Sequence, residues 1–476
     1  MNSEHVLLAE GRVMSLAEIR SRYSLSIFQT ELFYATCEYM AKKAGASGIA
    51  YKVLTNLYAL KSSRIKDLAS LLYFLQEEGN TCVQINVYED TVGLLHVFRP
   101  ELMLRVVSLG RNRSPYLARS TLFFIVLKVV LHRLFRAFSL GSLKAASVVR
   151  GWVEVTESMY KAQFASSMLL LYPFPYGVAR QFKFFRACKK SGLRVRLAGL
   201  PYRWLHVPRL LFSSHGSALS VVEAEVQAYT DYADELLTQG VRKVYTSDEF
   251  EVASVALYER LIENGVEVVN TAHGVGLYAP FVAYTEFHGV NLAQADFYRR
   301  RWPELRPFTR ESKNTLIDLA RAEKVGNLPP AIVVLDQNFL DFQCMAEDRA
   351  LKATYKKLEA FCDRSGLSLF IKVHPNSKDD GVPEVSASLR RVRHWKDING
   401  VRPVFVTVNS TAFYDVQGYG PILVCDEPSF FPEIYFGEAL LTYTLDSLEQ
   451  DIETLLDVDS WMAAAKLHAQ REHQVL

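Results

Sequence analysis

The chain has 476 residues, 49% of them hydrophobic and 22% charged, with a formal net charge of +2. That length suits two or three domains with sizeable cores, and so small a charge gives no reason to expect a partner chosen by global electrostatics. Six widely spaced cysteines (Cys37, Cys82, Cys188, Cys344, Cys362, Cys425) form neither a CxxC pair nor a dense framework, which points to reduced thiols in a cytosolic protein.

Residues 1–165 read as a mostly helical extension. "MNSEHVLLAEGRVMSLAEIR" carries early acids and no long apolar run, so it does not read as a secretory signal. "SLSIFQTELFYATCEYMAKKAG" has helical periodicity, basic residues in its last turn and a glycine stop. "CVQINVYEDTVGLLHVF" reads as a short strand pair. "TLFFIVLKVVLHRLFRAF" is the nearest approach to a membrane span, but Lys128 interrupts it and it is shorter than the ~20 apolar residues a span needs. No acid lies between Glu101 and Glu154, whereas Arg105, Arg111, Arg113, Arg119, Lys128, Arg133, Arg136, Lys144 and Arg150 do. The simpler account is a core helix with a solvated cationic rim; the alternative is peripheral contact of 105–150 with an anionic membrane at its inner face.

Residues 166–320 alternate. "MLLLYPFPYG" predicts a strand, "VARQFKFFRACKKSG" a helix, "LRVRLAGLP" a strand and Val221–Gln239 a helix. "RKVYTSDEF" and "VEVVNTAHG" then predict strands on either side of the helix "EVASVALYERLIENG". "RAEKVGNLPP" reads as a linker. Residues 321–476 repeat the alternation: strands at "AIVVLDQ", "LSLFIKVHP", "PVFVTVNS" and "PILVCDEP", helices at "DRALKATYKKLEAFCDRSG", "TAFYDVQGYG" and the C-terminus. Strands separated by helices mean βαβ units and parallel sheets. The fold class expected is therefore α/β: two tandem Rossmann-like domains behind a mostly helical extension.

Open α/β sheets bind ligands beyond the carboxyl ends of their strands. In the second series one strand ends at Lys372, His374 and Pro375, the next at Asn409, Ser410 and Thr411. Lys372 and His374 are two apart, so they share a face, and Pro375 ends the ladder. Ser410 and Thr411 are good caps for "AFYDV", and a helix N-terminus favours anions. Together these residues suit a nucleotide phosphate, although each alone fits a cap or a local hydrogen bond. In the first series Asp248 and Glu249 follow a strand, either as first-turn helix acids or as a general base. His273, followed by Gly274 and Gly276, is either a turn or a residue facing the phosphate across a cleft between the domains. No P-loop, GxGxxG, HExxH or nucleic-acid module is present, so neither a metal nor nucleic acid is expected.

"KVHP" ending one strand, "NST" ending the next, and then "GPILVCDEPSFF" resemble the donor half of GT-B glycosyltransferases of bacterial surface polysaccharides, such as polysialyltransferases and Kdo transferases. CDP-glycerol-dependent teichoic acid polymerases share a similar His-Pro strand end. The resemblance spans about Met168 to Leu455. It implies that His374, Pro375, Ser410 and Thr411 hold the phosphate of a cytidine nucleotide and that Asp248-Glu249 supplies the base, with Phe250 where glycine is expected. It also implies a nucleotide-sugar co-substrate, first a CMP-sugar carrying sialic acid or Kdo, a glycan or glycolipid acceptor, and capsule or lipopolysaccharide biosynthesis. The alternatives are a CDP-polyol phosphotransferase, a nucleotide-sugar epimerase, and a non-catalytic glycan-binding scaffold.

Overall fold

The structure is a computed structural model that describes residues 4–110, 119–138, 145–151, 163, 166–173, 178–203, 218–247, 252–272, 278–290, 292–309, 327–337, 339, 344–373, 389–398, 400–410, 412–437 and 440–470. They form two compact units. One comprises Met1–Arg20, Phe28–Gly289 and Ala295–Phe308; the other comprises Ser21–Ile27, Val290–Gln294 and Thr309–Leu476.

In the first unit β1 (His5–Leu8), β2 (Val13–Ser15), β3 (Cys82–Val87) and β4 (Val106–Ser108) make a sheet of order β2-β1-β3-β4. The expected strand pair at "CVQINVYEDTVGLLHVF" is corrected: only its first half is a strand, and Glu89–Phe98 is a helix with Glu89 and Asp90 in its first turn, where acids complement the helix dipole. β3 pairs instead with β1, antiparallel, and β4, parallel. Helices Glu31–Lys43, Gly48–Lys61 and Ser63–Glu78 join this layer to the larger sheet of the unit. Buried Asn56 donates from Nδ2 to the Phe281 carbonyl at 2.7 Å and accepts from the Phe281 N–H at 2.9 Å. Gln29 Oε1 likewise accepts from the Tyr278 N–H at 2.7 Å. An amide that satisfies both backbone groups of one residue locks that loop, because each of those groups would be costly to bury alone.

The larger sheet has seven strands: β5 (Ser147–Gly151), β6 (Met168–Leu171), β7 (Val195–Leu197), β8 (Lys243–Thr246), β9 (Glu267–Thr271), β10 (Glu286–Gly289) and β11 (Arg306–Thr309). Its order is β11-β10-β9-β8-β5-β6-β7, and the pairings from β7 through β10 are parallel. β5 is a central strand of this sheet although it lies before residue 165. The alternating pattern therefore starts earlier than the expected boundary.

The second unit holds β12 (Pro330–Leu335), β13 (Ser368–Lys372), β14 (Leu389–Val392), β15 (Arg402–Thr407), β16 (Ile422–Cys425) and β17 (Leu441–Tyr443), in the order β14-β13-β12-β15-β16-β17. All five pairings are parallel. Counted within the unit this is 3-2-1-4-5-6, the doubly wound order; the first unit runs the same way with a seventh strand added. The α/β class and the two Rossmann-like domains thus stand. One face of the second sheet, Ile332, Val334, Leu369, Ile371, Val404 and Val406, packs on the helix Met345–Ser365 through Tyr355 and Leu358. Gly366, at φ 69°, ends that helix in the left-handed conformation glycine adopts without strain.

Candidate functional site

In a doubly wound sheet the helices on the two sides of the strand-order reversal diverge, and the opening lies at the carboxyl ends of the two strands there. In the second unit those strands are β12 and β15. Asp336 follows β12 directly and is buried. Its backbone N–H donates to the Lys372 carbonyl at 3.1 Å, and its carbonyl accepts from Ser410 Oγ at 3.3 Å. Its Oδ1 accepts from the Tyr355 hydroxyl at 2.8 Å. One residue therefore stitches the ends of β12, β13 and β15 to the helix behind the sheet. Tyr355 is held well above the usual phenol range, first by burial and then by the Asp336 carboxylate beside it. It stays a neutral donor to that carboxylate, which makes the bond charge-assisted.

Lys372 is the last residue of β13 and is half-buried. In the parallel register it stands level with Leu335, which stands level with Thr407, so Lys372 and Thr407 share the face opposite Tyr355. Its Nζ lies 4.9 Å from the Trp395 ring centroid and 3.4 Å from the Val373 carbonyl. Burial lowers its pKa, and Asp415 and Asp336 partly offset that. Among the described residues its contacts are this ring, this carbonyl and the attraction of Asp415 and Asp336, and an ammonium so placed at a strand end suits an incoming anion.

Ser410 is buried, with its hydroxyl engaged by Asp336 and by the Ala412 N–H at 3.4 Å. The expected helix after it is a single turn, Phe413–Val416, capped by no side chain. A single turn aligns few peptide dipoles, so it offers less of the helix-terminus charge expected there. Asn409 is half-buried in the bend after β15. His374, Pro375 and Thr411 lie outside the described residues, as do Asp248, Glu249 and His273 in the first unit. Of the expected set, the structure brings Lys372 to the end of β13 and Asn409 and Ser410 to the end of β15; these strands are not adjacent, because β12 lies between them. Sequence reasoning missed Asp336, Tyr355 and Trp395. Asp336 was findable, because it follows the apolar run "AIVVL" at a strand end.

In the first unit the reversal lies between β5 and β8. Arg150, the penultimate residue of β5, is buried with its guanidinium 4.0 Å from the Tyr172 ring centroid. Its Nη1 donates to the Tyr258 hydroxyl at 3.3 Å, and that hydroxyl donates to Thr246 Oγ1 at 2.8 Å. Thr246 is level with Asn270 on β9. Below this row the sheet is apolar at Val148, Val244 and Val268. The sheet thus turns polar one residue before its carboxyl edge, where Asp248, Glu249 and His273 follow in sequence. Among the described residues no group of three His, Cys, Asp or Glu side chains is placed to hold a metal ion, and no helix is long and apolar enough to cross a membrane.

No known family profile matches the chain, and no curated protein does either. Solved structures that resemble it include a UDP-forming α,α-trehalose-phosphate synthase from Burkholderia vietnamiensis, 8% identical, covering 69% of this chain and 96% of its own, TM-score 0.40. A UGT transferase from Siraitia grosvenorii in complex with UDP is 11% identical, covering 69% and 94%, TM-score 0.39. The wall teichoic acid polymerase TagF is 10% identical, covering 75% and 93%, TM-score 0.36. Overlaps this loose leave the architecture to rest on the strand orders themselves, and those give two Rossmann-like domains.

Proposed function

We propose that the chain is a glycosyltransferase of GT-B type that moves a sugar from a nucleotide-sugar to a glycan or glycolipid. The observation that carries this is the group of Asp336, Lys372 and Ser410 at the strand-order reversal of the second sheet, which sets a half-buried cation beside strand ends fixed in place. A second doubly wound sheet in the same chain supplies a separate acceptor-binding unit. In this account Lys372 and His374 stabilise the leaving phosphate as its charge grows. Asp248 or Glu249 takes the acceptor proton, with His273 close in sequence to the next strand end. The donor is a CMP-sugar, sialic acid or Kdo, on the likeness of "KVHP" and "NST" to capsule and lipopolysaccharide enzymes. A glycolipid acceptor would bring the protein to a membrane surface.

Thermal shift with CMP, CDP, UDP and GDP tests it. A ligand that binds only the native state raises apparent stability by mass action, about 2.7 kcal/mol at a hundred times its Kd. CMP is expected to give the largest rise. No rise with any nucleotide contradicts the proposal, and a rise with CDP together with turnover of a CDP-polyol but of no sugar donor replaces it with phosphotransfer.

A further inference from the structure

The helix Arg119–Ala137 leaves Val130 and Leu134 exposed, and Phe138 just past its end, at 45%, 42% and 65%. Single exposed apolar residues are ordinary. These three are four apart, so they line one face. The opposite face is seated against the rest of the unit. Val129 and Phe135 are buried, Lys128 pairs with Glu225 at 3.1 Å, and Arg136 pairs with Glu235 at 2.6 Å. His132 Nδ1 accepts from the Leu200 N–H at 3.2 Å. The helix is seated so closely that a Cβ on Gly199 would lie 2.2 Å from the His132 carbonyl oxygen. The outward row is therefore not the edge of a loosely held element.

The helix Val178–Lys190 packs beside it, with Phe182 5.4 Å from Phe135 and 6.5 Å from Phe138 between ring centroids. Its exposed side carries Arg180, Lys183, Arg186, Lys189 and Lys190, and it has no acidic residue. An apolar row bordered by cations matches a surface with an apolar interior and an anionic rim, an acidic phospholipid bilayer. A nucleic acid would use the cations and leave the row in water.

We infer that this two-helix face docks on anionic membrane, with Val130, Leu134 and Phe138 at the acyl boundary and the cations of Val178–Lys190 on the headgroups. The inference deepens the proposed function by naming where a glycolipid acceptor would be met. It also narrows the contact expected at 105–150 to this apolar row and draws its cations from Val178–Lys190. Lys128 and Arg136 from that stretch are spent on Glu225 and Glu235. Arg105 donates to the Gly79 and Cys82 carbonyls at 2.6 and 2.8 Å, and Arg150 is buried in the sheet.

The test is co-sedimentation of the full chain with phosphatidylcholine vesicles, with and without phosphatidylglycerol. The wild type is expected to bind only the anionic vesicles, and less so as salt rises. The triple variant Val130→Ser/Leu134→Ser/Phe138→Ser and the charge variant Lys183→Glu/Arg186→Glu/Lys189→Glu are each expected to lose about tenfold or more in affinity, at unchanged circular dichroism. Phe138→Ala alone serves if the triple variant misfolds. Absence of vesicle binding, equal binding by the variants, or equal binding to neutral vesicles overturns the inference. So does a wild-type dimer that the triple variant converts to monomer without any vesicle binding, since the row would then cover a second copy. Vesicle binding that survives the failure of every nucleotide would remove the transferase proposal and leave this one standing.

Discussion

Replacing Lys372 by alanine separates a binding lysine from a structural one. Within the fold its ammonium has a ring at 4.9 Å and a long contact of 3.4 Å to the Val373 carbonyl. A cation–π contact at a partly exposed site contributes about 0.5–1 kcal/mol, so the expected fall in melting temperature is about 1–4 °C. If Lys372 meets a nucleotide phosphate, the variant loses a charge-assisted hydrogen bond of about 1.5–3 kcal/mol, which raises Kd by about 10- to 150-fold. Calorimetric titration of wild type, Lys372→Ala and Lys372→Arg with CMP reads this directly. The sign of the pH dependence gives a second check. Burial holds the Lys372 pKa below that of free lysine, so between the folded value and the unfolded value near ~10.4 the unfolded chain binds more protons. The unliganded protein's Lys372-dependent stability should therefore rise with pH across that window. CMP binding, which needs the charged form, should weaken across the same window and be accompanied by proton uptake. Lys372→Ala should remove both slopes. A melting temperature that drops by many degrees with Kd unchanged would refute the reasoning and make the lysine structural.

Tyr355→Phe leaves the buried Asp336 carboxylate without its 2.8 Å donor and should destabilise the protein by about 1.5–3 kcal/mol in urea titration; CMP affinity should fall as well, because Asp336 holds the strand ends. Gly199→Ala forces a Cβ to within 2.2 Å of the His132 carbonyl oxygen and should cost about 1–3 kcal/mol or more, seen as a lowered melting temperature. Ser26→Ala removes a donor to the Ser429 carbonyl at 3.0 Å and an acceptor for the Phe431 N–H at 3.2 Å. It should cost about 1–2 kcal/mol and increase protease cleavage around Ser429, the one non-glycine residue with positive φ among those described.

What could be read from the residues followed burial. β12 and β13 are apolar runs because parallel strands are covered on both faces, and "AIVVL" and "LFIK" declare themselves. β5 did not, because Arg150 interrupts its short run; its partners are Tyr172 and Tyr258, far along the chain. Edge strands were also hidden. "LRRV" in β14 exposes Arg390 and leaves Arg391 half-buried, and neither reads as a core strand. The C-terminal helical stretch is broken after Leu456, where Asp457 Oδ2 accepts the Ser460 N–H at 2.9 Å and starts a new helix. At the site, alternation and the strand end pointed to Lys372, both local features. Asp336 acts through Tyr355 on a helix formed nineteen residues later, a tertiary pairing no local pattern encodes. Ser410 has the residue type of a cap, and its hydroxyl does accept from the Ala412 N–H, but it also donates to the Asp336 carbonyl, a tertiary contact the local pattern does not show.

Hydrogen exchange of the full chain with and without CMP locates the ligand itself. Slowed exchange confined to the carboxyl ends of β12, β13 and β15, around residues 335–337, 371–373 and 407–410, is the predicted result. Protection elsewhere, or none at CMP concentrations that shift the melting temperature, would contradict a nucleotide seated at the reversal of the second sheet.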